Sequence, residues 1–256
     1  PFGRPGQQVA VPVAPVDLGE DDRGQGARAA QRLAALAQRA VLLQLPDQPL
    51  QRDARPALDR EGARDLPLAD RVAELDERIR HMYQRRSAIL VLDMCGFSRL
   101  TSEFGIIHYL AMIEQMDSSS RPAVEGNGGT VIKQEADNLF AVFDTPRRAV
   151  EGALDILRSF KAVNATVPSN RDLYGSIGIG YGDLLVIGEE DVYGDDMNLA
   201  CKLGEDLAGP GEILLTTAAH GALEPGRFDF EPKEYSVSGL TIPAFRFVRP
   251  RYDLEP

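Results

Sequence analysis

From residue 68 onward the apolar positions change period in a way that marks out alternating helices and strands. Leu68, Val72, Leu75, Ile79 and Met82 recur at intervals of four and three with charged residues between them, the spacing of an a/d seam. That seam fits either an amphipathic helix packed on its own domain or a parallel two-stranded coil. It runs straight into Ala88 to Leu92 (AILVL), a continuous apolar run suited to a buried strand. Next come a helical pattern from about Ser102 to Val124 and a break at Gly126 to Gly129. Two short strands follow, Thr130 to Lys133 and Leu139 to Phe143, with Gln134 to Asn138 as the hairpin turn. Pro146 marks the start of a helix over Arg147 to Val163, and Ser176 to Tyr181 and Leu184 to Ile187 read as two strands of a second hairpin. Met197 to Ala208 is helical, stopped by Gly209 and Pro210. Ile213 to Thr216, a short helix near Ala218 and a strand at Phe245 to Val248 complete the order. This is an α+β arrangement with antiparallel hairpins rather than a βαβ repeat.

Upstream the pattern fades. Residues 1–26 mix Pro, Gly and charge without periodicity, 27–44 (GARAAQRLAALAQRAVLL) suit a short helix, and 46–67 read as a linker. The chain therefore divides into a loose arm over 1–67, a helical connector over 68–87 and a domain over 88–256. With 256 residues and 43% hydrophobic content it can bury at least one core. A net charge of −11 argues against nucleic acid as a partner, so any polyanionic ligand must be held by local cations and metal. Two cysteines, Cys95 and Cys201, make no disulfide framework and point to a reducing, cytoplasmic compartment. The longest apolar run, Ala40 to Leu45, falls well short of the roughly 20 residues that span a bilayer, so no membrane segment is expected in this chain. The first residue is Pro1 rather than Met, which leaves an upstream signal or anchor open.

Two acidic residues stand where chemistry is easiest to build. Asp93 follows the buried strand, and Asp137 sits at the turn leading into LFAVF. Strand ends let a rigid sheet hold two carboxylates at one point, which is what hard divalent cations want. Taken alone, Asp137 reads as an ordinary turn residue. The glycines between Gly175 and Gly182 are not followed by a helix, so they do not make a dinucleotide loop, and His81, His108 and His220 are scattered. Cys95 reads as a small buried residue, and Tyr193 and Asp195 as polar loop groups.

The context of the two aspartates resembles the class III adenylyl and guanylyl (nucleotidyl) cyclases over residues 88–249. LDMCGFS (Leu92 to Ser98) is similar to the family's first metal motif, and GGTVIKQEADNLFAVF (Gly128 to Phe143) to the second, with Lys133 four positions before Asp137. IGIGYGDLLVIG (Ile177 to Gly188) resembles the strand hairpin that follows, and DVYGDDMNLACKL (Asp191 to Leu203) the segment carrying base- and phosphate-binding residues. The resemblance implies a central, largely antiparallel sheet flanked by helices, of the ferredoxin-like palm type, and a homodimer with two shared sites.

By the same resemblance Asp93 and Asp137 are metal ligands with the Met94 carbonyl, two divalent ions (Mg²⁺ or Mn²⁺) are bound, and Lys133 and Asp191 read the base. Asn198 orients the ribose, and Lys202 stands where the family usually has an Arg that meets charge on the phosphoryl group. An ammonium and a carboxylate complement adenine's Watson–Crick edge and mispair with guanine, which favours ATP as substrate and cyclic AMP as product. Cytosine shows the same order along that edge, so a CTP or UTP cyclase stays open. Three departures keep a catalytically silent, nucleotide- or partner-binding module open as well: Ala136 for the family's Gly, Lys202 for Arg, and Ser238 where a Lys often precedes Gly239.

Overall fold

The structure, a computed structural model, describes residues 68–96, 102–237 and 239–250. The arm over 1–67, the Phe97 and Ser98 end of the first motif and Ser238 lie outside the described residues.

Helix α1 (Leu68–Tyr83) passes without a linker into strand β1 (Gln84–Met94). Val72, Leu75 and Met82 of the seam are exposed on α1 and Ile79 is half-buried. The strand begins four residues earlier than the apolar run suggests and includes Asp93 as its penultimate residue. After it come α2 (Ile106–Gly126), β2 (Thr130–Glu135), β3 (Asn138–Phe143) and α3 (Pro146–Asn164). Helix α3 starts where expected because Thr145 accepts the Arg148 N–H as N-cap and Pro146 follows at the position that tolerates a missing N–H. The remaining elements are β4 (Gly175–Ile187), β5 (Asp191–Tyr193), α4 (Asp195–Cys201), a π turn (Lys202–Leu207), β6 (Ile213–Thr216), α5 (Thr217–Gly221), β7 (Phe228–Val237) and β8 (Leu240–Pro250).

The strands form one sheet in the order β2-β3-β1-β4-β6-β8-β7, with β5 also paired to β4. Among the described strands only β4 and β6 run parallel, so the expectation of a largely antiparallel sheet holds. Side chains alternate across it. Ala88, Leu90, Leu92 and Met94 point toward α2 and α3, meeting Tyr109, Met112 and Met116 on one and Ala153, Ile156 and Phe160 on the other. Ile89 and Val91 point the opposite way, toward Ala200, Met197 and Cys201 of α4.

Three expectations are corrected. Gly175–Ile187 is one continuous 13-residue strand, and the hairpin turns after it, between Ile187 and Asp191. The helix expected over Met197 to Ala208 is α4 followed by a π turn. Strand β7 is new, with Pro232 tolerated because β7 ends the sheet order. Among the described residues no helix is long and apolar enough to cross a membrane.

Candidate active site

The register of β1 brings the two aspartates to one end of the sheet. Asp93 lies opposite Asn138 of β3 on one side and Ser176 of β4 on the other, so the Ala136–Asp137 turn between β2 and β3 falls just past the end of β1. The Met94 N–H fixes it there by donating to the Asp137 carbonyl oxygen at 3.1 Å. Ala136 takes φ of 52°, the left-handed region that glycine enters freely and alanine enters at a cost of about 1 kcal/mol. Burial pushes the Asp93 carboxyl up to about 7, helped by the charges of Asp137, Glu205 and Asp206 and opposed by a hydrogen bond with Ser176. Tyr109, buried on α2, has its phenol pushed up by burial and then by Asp137 and Asp93.

This end of the sheet fits a divalent cation by its charge and its donors. The oxygens are hard, and a carboxyl raised first by burial and then by neighbouring carboxylates marks a place where a bound cation would stabilise the charged form. The Met94 side chain is buried in the core, so only its backbone carbonyl is available as a ligand. Among the described residues no three His, Cys, Asp or Glu groups converge as a metal cluster, which leaves the two aspartates as the candidate carboxylate pair.

A bulge aims Lys133. The β2–β3 ladder pairs Val131 with Ala141 and then Lys133 with Phe140, so Ile132 is the extra residue. The extra residue turns Lys133 away from the face of Val131 and onto the face of Phe140 and Ile132, which Asp93 also shares. There Lys133 Nζ lies 4.8 Å from the centroid of the Phe140 ring, 2.9 Å from Asp191 Oδ1 and 2.9 Å from Glu135 Oε1. Asp191 opens β5 and is delivered by the hairpin from β4. Burial alone would raise its carboxyl, but hydrogen bonds from Tyr193, Lys133 and the Val192 N–H outweigh it and hold the pKa below the usual range. For Lys133 burial pulls the other way, and hydrogen bonds with Glu135 and Asp191 hold the ammonium above its usual value.

Asn198 and Lys202 ride on a helix pressed unusually close to the sheet. Gly178, Gly180 and Gly182 alternate along one face of β4, and a methyl group on any of them would collide with α4 or the π turn: with the Ala200 carbonyl, the Asp196 carbonyl and the Asp196 carboxylate respectively. Glycine is what permits that approach. Lys202 keeps helical angles (φ −60°, ψ −36°), so it stands one turn beyond Asn198 on the same helical path. The π turn that begins at Lys202 carries Glu205, whose Oε1 accepts from Asn138 Nδ2 at 3.1 Å and whose charge reaches Asp93.

All seven residues singled out by the sequence therefore lie on β1, β5, α4 and its π turn, or the β2–β3 hairpin, and Lys133 and Asp191 are in direct contact. Reading by pattern missed Tyr109, Glu205 and Tyr193. Tyr193 is in β5 rather than a loop, and its hydroxyl donates to Asp191 Oδ2 at 2.5 Å.

No family model matches the chain. It is 30% identical over 138 residues to an adenylate cyclase of Streptomyces coelicolor, a match that covers 54% of this chain and 34% of that one. The chain spans 25% to 37% of the length of the curated relatives it matches. Among solved structures it is similar to an adenylate/guanylate cyclase/hydrolase from Silicibacter pomeroyi, with 27% identity, a TM-score of 0.53, and coverage of 64% of this chain and 97% of that one. The adenylyl cyclase CyaB from P. aeruginosa shares the fold at 20% identity and a TM-score of 0.56, covering 67% of this chain and 98% of that one.

Proposed function

The described unit carries the catalytic-domain fold of the class III adenylyl and guanylyl cyclases, and from that premise we propose that the chain converts ATP into 3′,5′-cyclic AMP and pyrophosphate. One observation carries the reading. Lys133, on the sheet face that Asp93 shares, and Asp191, far from it in sequence, meet at 2.9 Å, leaving an ammonium and a carboxylate side by side for the base. Adenine offers an amino donor beside a ring-nitrogen acceptor, and the pair complements that order. Asn198 holds the ribose, and Lys202 sets its charge against the reacting phosphoryl group. Two divalent ions, Mg²⁺ or Mn²⁺, held by Asp93, Asp137 and the Met94 carbonyl would activate the ribose 3′-hydroxyl and neutralise the departing pyrophosphate.

Each site is shared. One protomer supplies Asp93 and Asp137, and its partner supplies the base readers with Asn198 and Lys202, so a two-fold pair holds two sites. We propose further that the seam of α1, exposed at Val72, Leu75 and Met82 and running directly into β1, sets the angle between the two domains as a parallel coil. Incubation with an equimolar mixture of ATP, GTP, CTP and UTP plus Mn²⁺, followed by mass analysis, tests the assignment. Cyclic AMP as the main product is expected. A cyclic pyrimidine nucleotide instead would move the substrate to CTP or UTP, and no cyclic product at all would make the domain a silent nucleotide-binding module.

A further inference from the structure

Asp191 is a carboxylate with little acceptor capacity to spare. Its Oδ1 takes both the Val192 N–H at 2.9 Å and the Lys133 ammonium at 2.9 Å, while Oδ2 takes the Tyr193 hydroxyl at 2.5 Å. An ionised carboxylate has about four lone-pair sites, so the one left open lies on Oδ2, beside Tyr193. Lys133 is equally committed, since two of its roughly three donors go to Asp191 and Glu135. What remains for a ligand is one acceptor and one donor at fixed places.

The contacts differ in what they fix. Those from Val192 and Lys133 both fall on Oδ1, so they restrain Oδ2 only indirectly, through the side-chain torsions. The Tyr193 bond is the one that holds Oδ2 directly. The strand makes that possible, because Asp191 and Tyr193 share a face of β5 while Val192, fully buried, points into the core between them. Both ends are clamped to β4, Asp191 opposite Ile187 and Tyr193 opposite Leu185.

We infer that Tyr193 is the positioning residue for base selection: by donating to Asp191 Oδ2 it holds the open acceptor where an exocyclic amino group must arrive, and so excludes a base that presents an oxo group there. The inference rests on the reading of Lys133 and Asp191 as base readers. The favoured ligands are nucleoside triphosphates with an amino group at that edge, and GTP is the one turned away. Guanine would set its O6 against the carboxylate, and the rejection is only as sharp as the carboxylate is fixed.

The test is Tyr193→Phe, which keeps the ring and removes the hydroxyl. Steady-state kinetics with ATP and with GTP, and equilibrium dialysis of each nucleotide in EDTA so that a slow variant is still read, are compared with the parent and with Asp191→Ala. The preference for ATP over GTP should fall about tenfold, the size expected for losing one charge-assisted hydrogen bond. The change should lie in KM for ATP, with kcat nearly constant, because the base is remote from the reacting phosphorus. Equal weakening of both nucleotides would make Tyr193 a structural residue and overturn the inference. An unchanged preference in Tyr193→Phe, with the preference lost in Asp191→Ala, overturns the role of Tyr193 alone. Preference retained in Asp191→Ala removes the base-reading assignment, and this inference with it.

Discussion

Gly178→Ala should damage the domain twice, once in stability and once in turnover. An ideal Cβ at residue 178 overlaps the Ala200 carbonyl oxygen and comes within 2.6 Å of Gly204 N. Ordinary carbon contacts lie near 3.5 to 4 Å, so α4 and the π turn must retreat by roughly 1 to 1.5 Å. Neither neighbour is a side chain that can rotate away, and β4 is held between β1 and β6. Overpacking of this kind costs about 1 to 3 kcal/mol, and a clash between backbones belongs at the upper end. The same retreat carries Asn198 and Lys202 with it, and about 1 Å of misplacement can cost on the order of a hundredfold in rate. Urea denaturation reads the first effect and cyclic AMP formation at saturating ATP and Mn²⁺ reads the second. Gly221→Ala serves as the control, since a Cβ there meets nothing within 4 Å. A Gly178→Ala protein with the parent's midpoint and rate would refute the idea that the glycine stripe seats α4.

Three other outcomes follow from the site. Asp93 is lifted by burial and acidic neighbours from 3.8 to about 7, so between those values the folded chain holds a proton that the unfolded chain has lost. Stability of the metal-free protein should therefore fall as pH rises through that window, by about 1 to 2 kcal/mol after allowance for solvent screening. Urea midpoints in EDTA at pH 5 and pH 8 should show the loss in the parent and not in Asp93→Asn, with Mn²⁺ restoring more stability at pH 8; an equal slope in both proteins sinks the assignment. Ala136→Gly should raise the urea midpoint by an amount worth about 1 kcal/mol, because it relieves a positive φ of 52°, and a lower midpoint would contradict that. Leu75→Asp with Ile79→Asp should cut specific activity steeply at low protein concentration and little at high concentration, followed beside sedimentation; parental behaviour across the dilution range would make α1 a surface element only.

How much of this was legible depended on where side chains carry the signal. The β1 run and the Thr145–Pro146 start of α3 are local statements, and the structure agrees with both. In β4 the pattern was present but inverted. Gly178, Gly180 and Gly182 interleave with Ile177, Ile179 and Tyr181 at strand period, yet Gly182–Asp183 reads locally as a turn. Pairing with β1 along the whole strand keeps it extended. The direction of Lys133 was hidden in the same way. Its one trace is that Val131 and Ile132 are adjacent and both buried, which a regular strand with an open face does not do. In β7 the alternation of Phe228 and Phe230 with Asp229 and Glu231 was available, and Pro232 masked it. Glu205 and Tyr109 could not be read at all, since the first depends on a π turn and the second on which face of α2 meets the end of β1.

The departures from the family pattern carry different weights once they are placed. Ala136 is a cost in stability of about 1 kcal/mol, and the Met94 to Asp137 backbone bond holds its turn in register regardless. It leaves the carboxylate of Asp137 close enough for its charge to help raise the Asp93 carboxyl. Lys202 keeps a positive charge one turn after Asn198 on a helix that the glycine stripe fixes in place, and what it lacks is the planar fork of an arginine. A point charge still attracts developing negative charge but does not orient it, so in the proposed reaction this change would bear on the chemical step rather than on nucleotide binding. On the proposed reading, Ala136 weighs on stability and Lys202 on turnover, and neither substitution falls on the Lys133 and Asp191 pair.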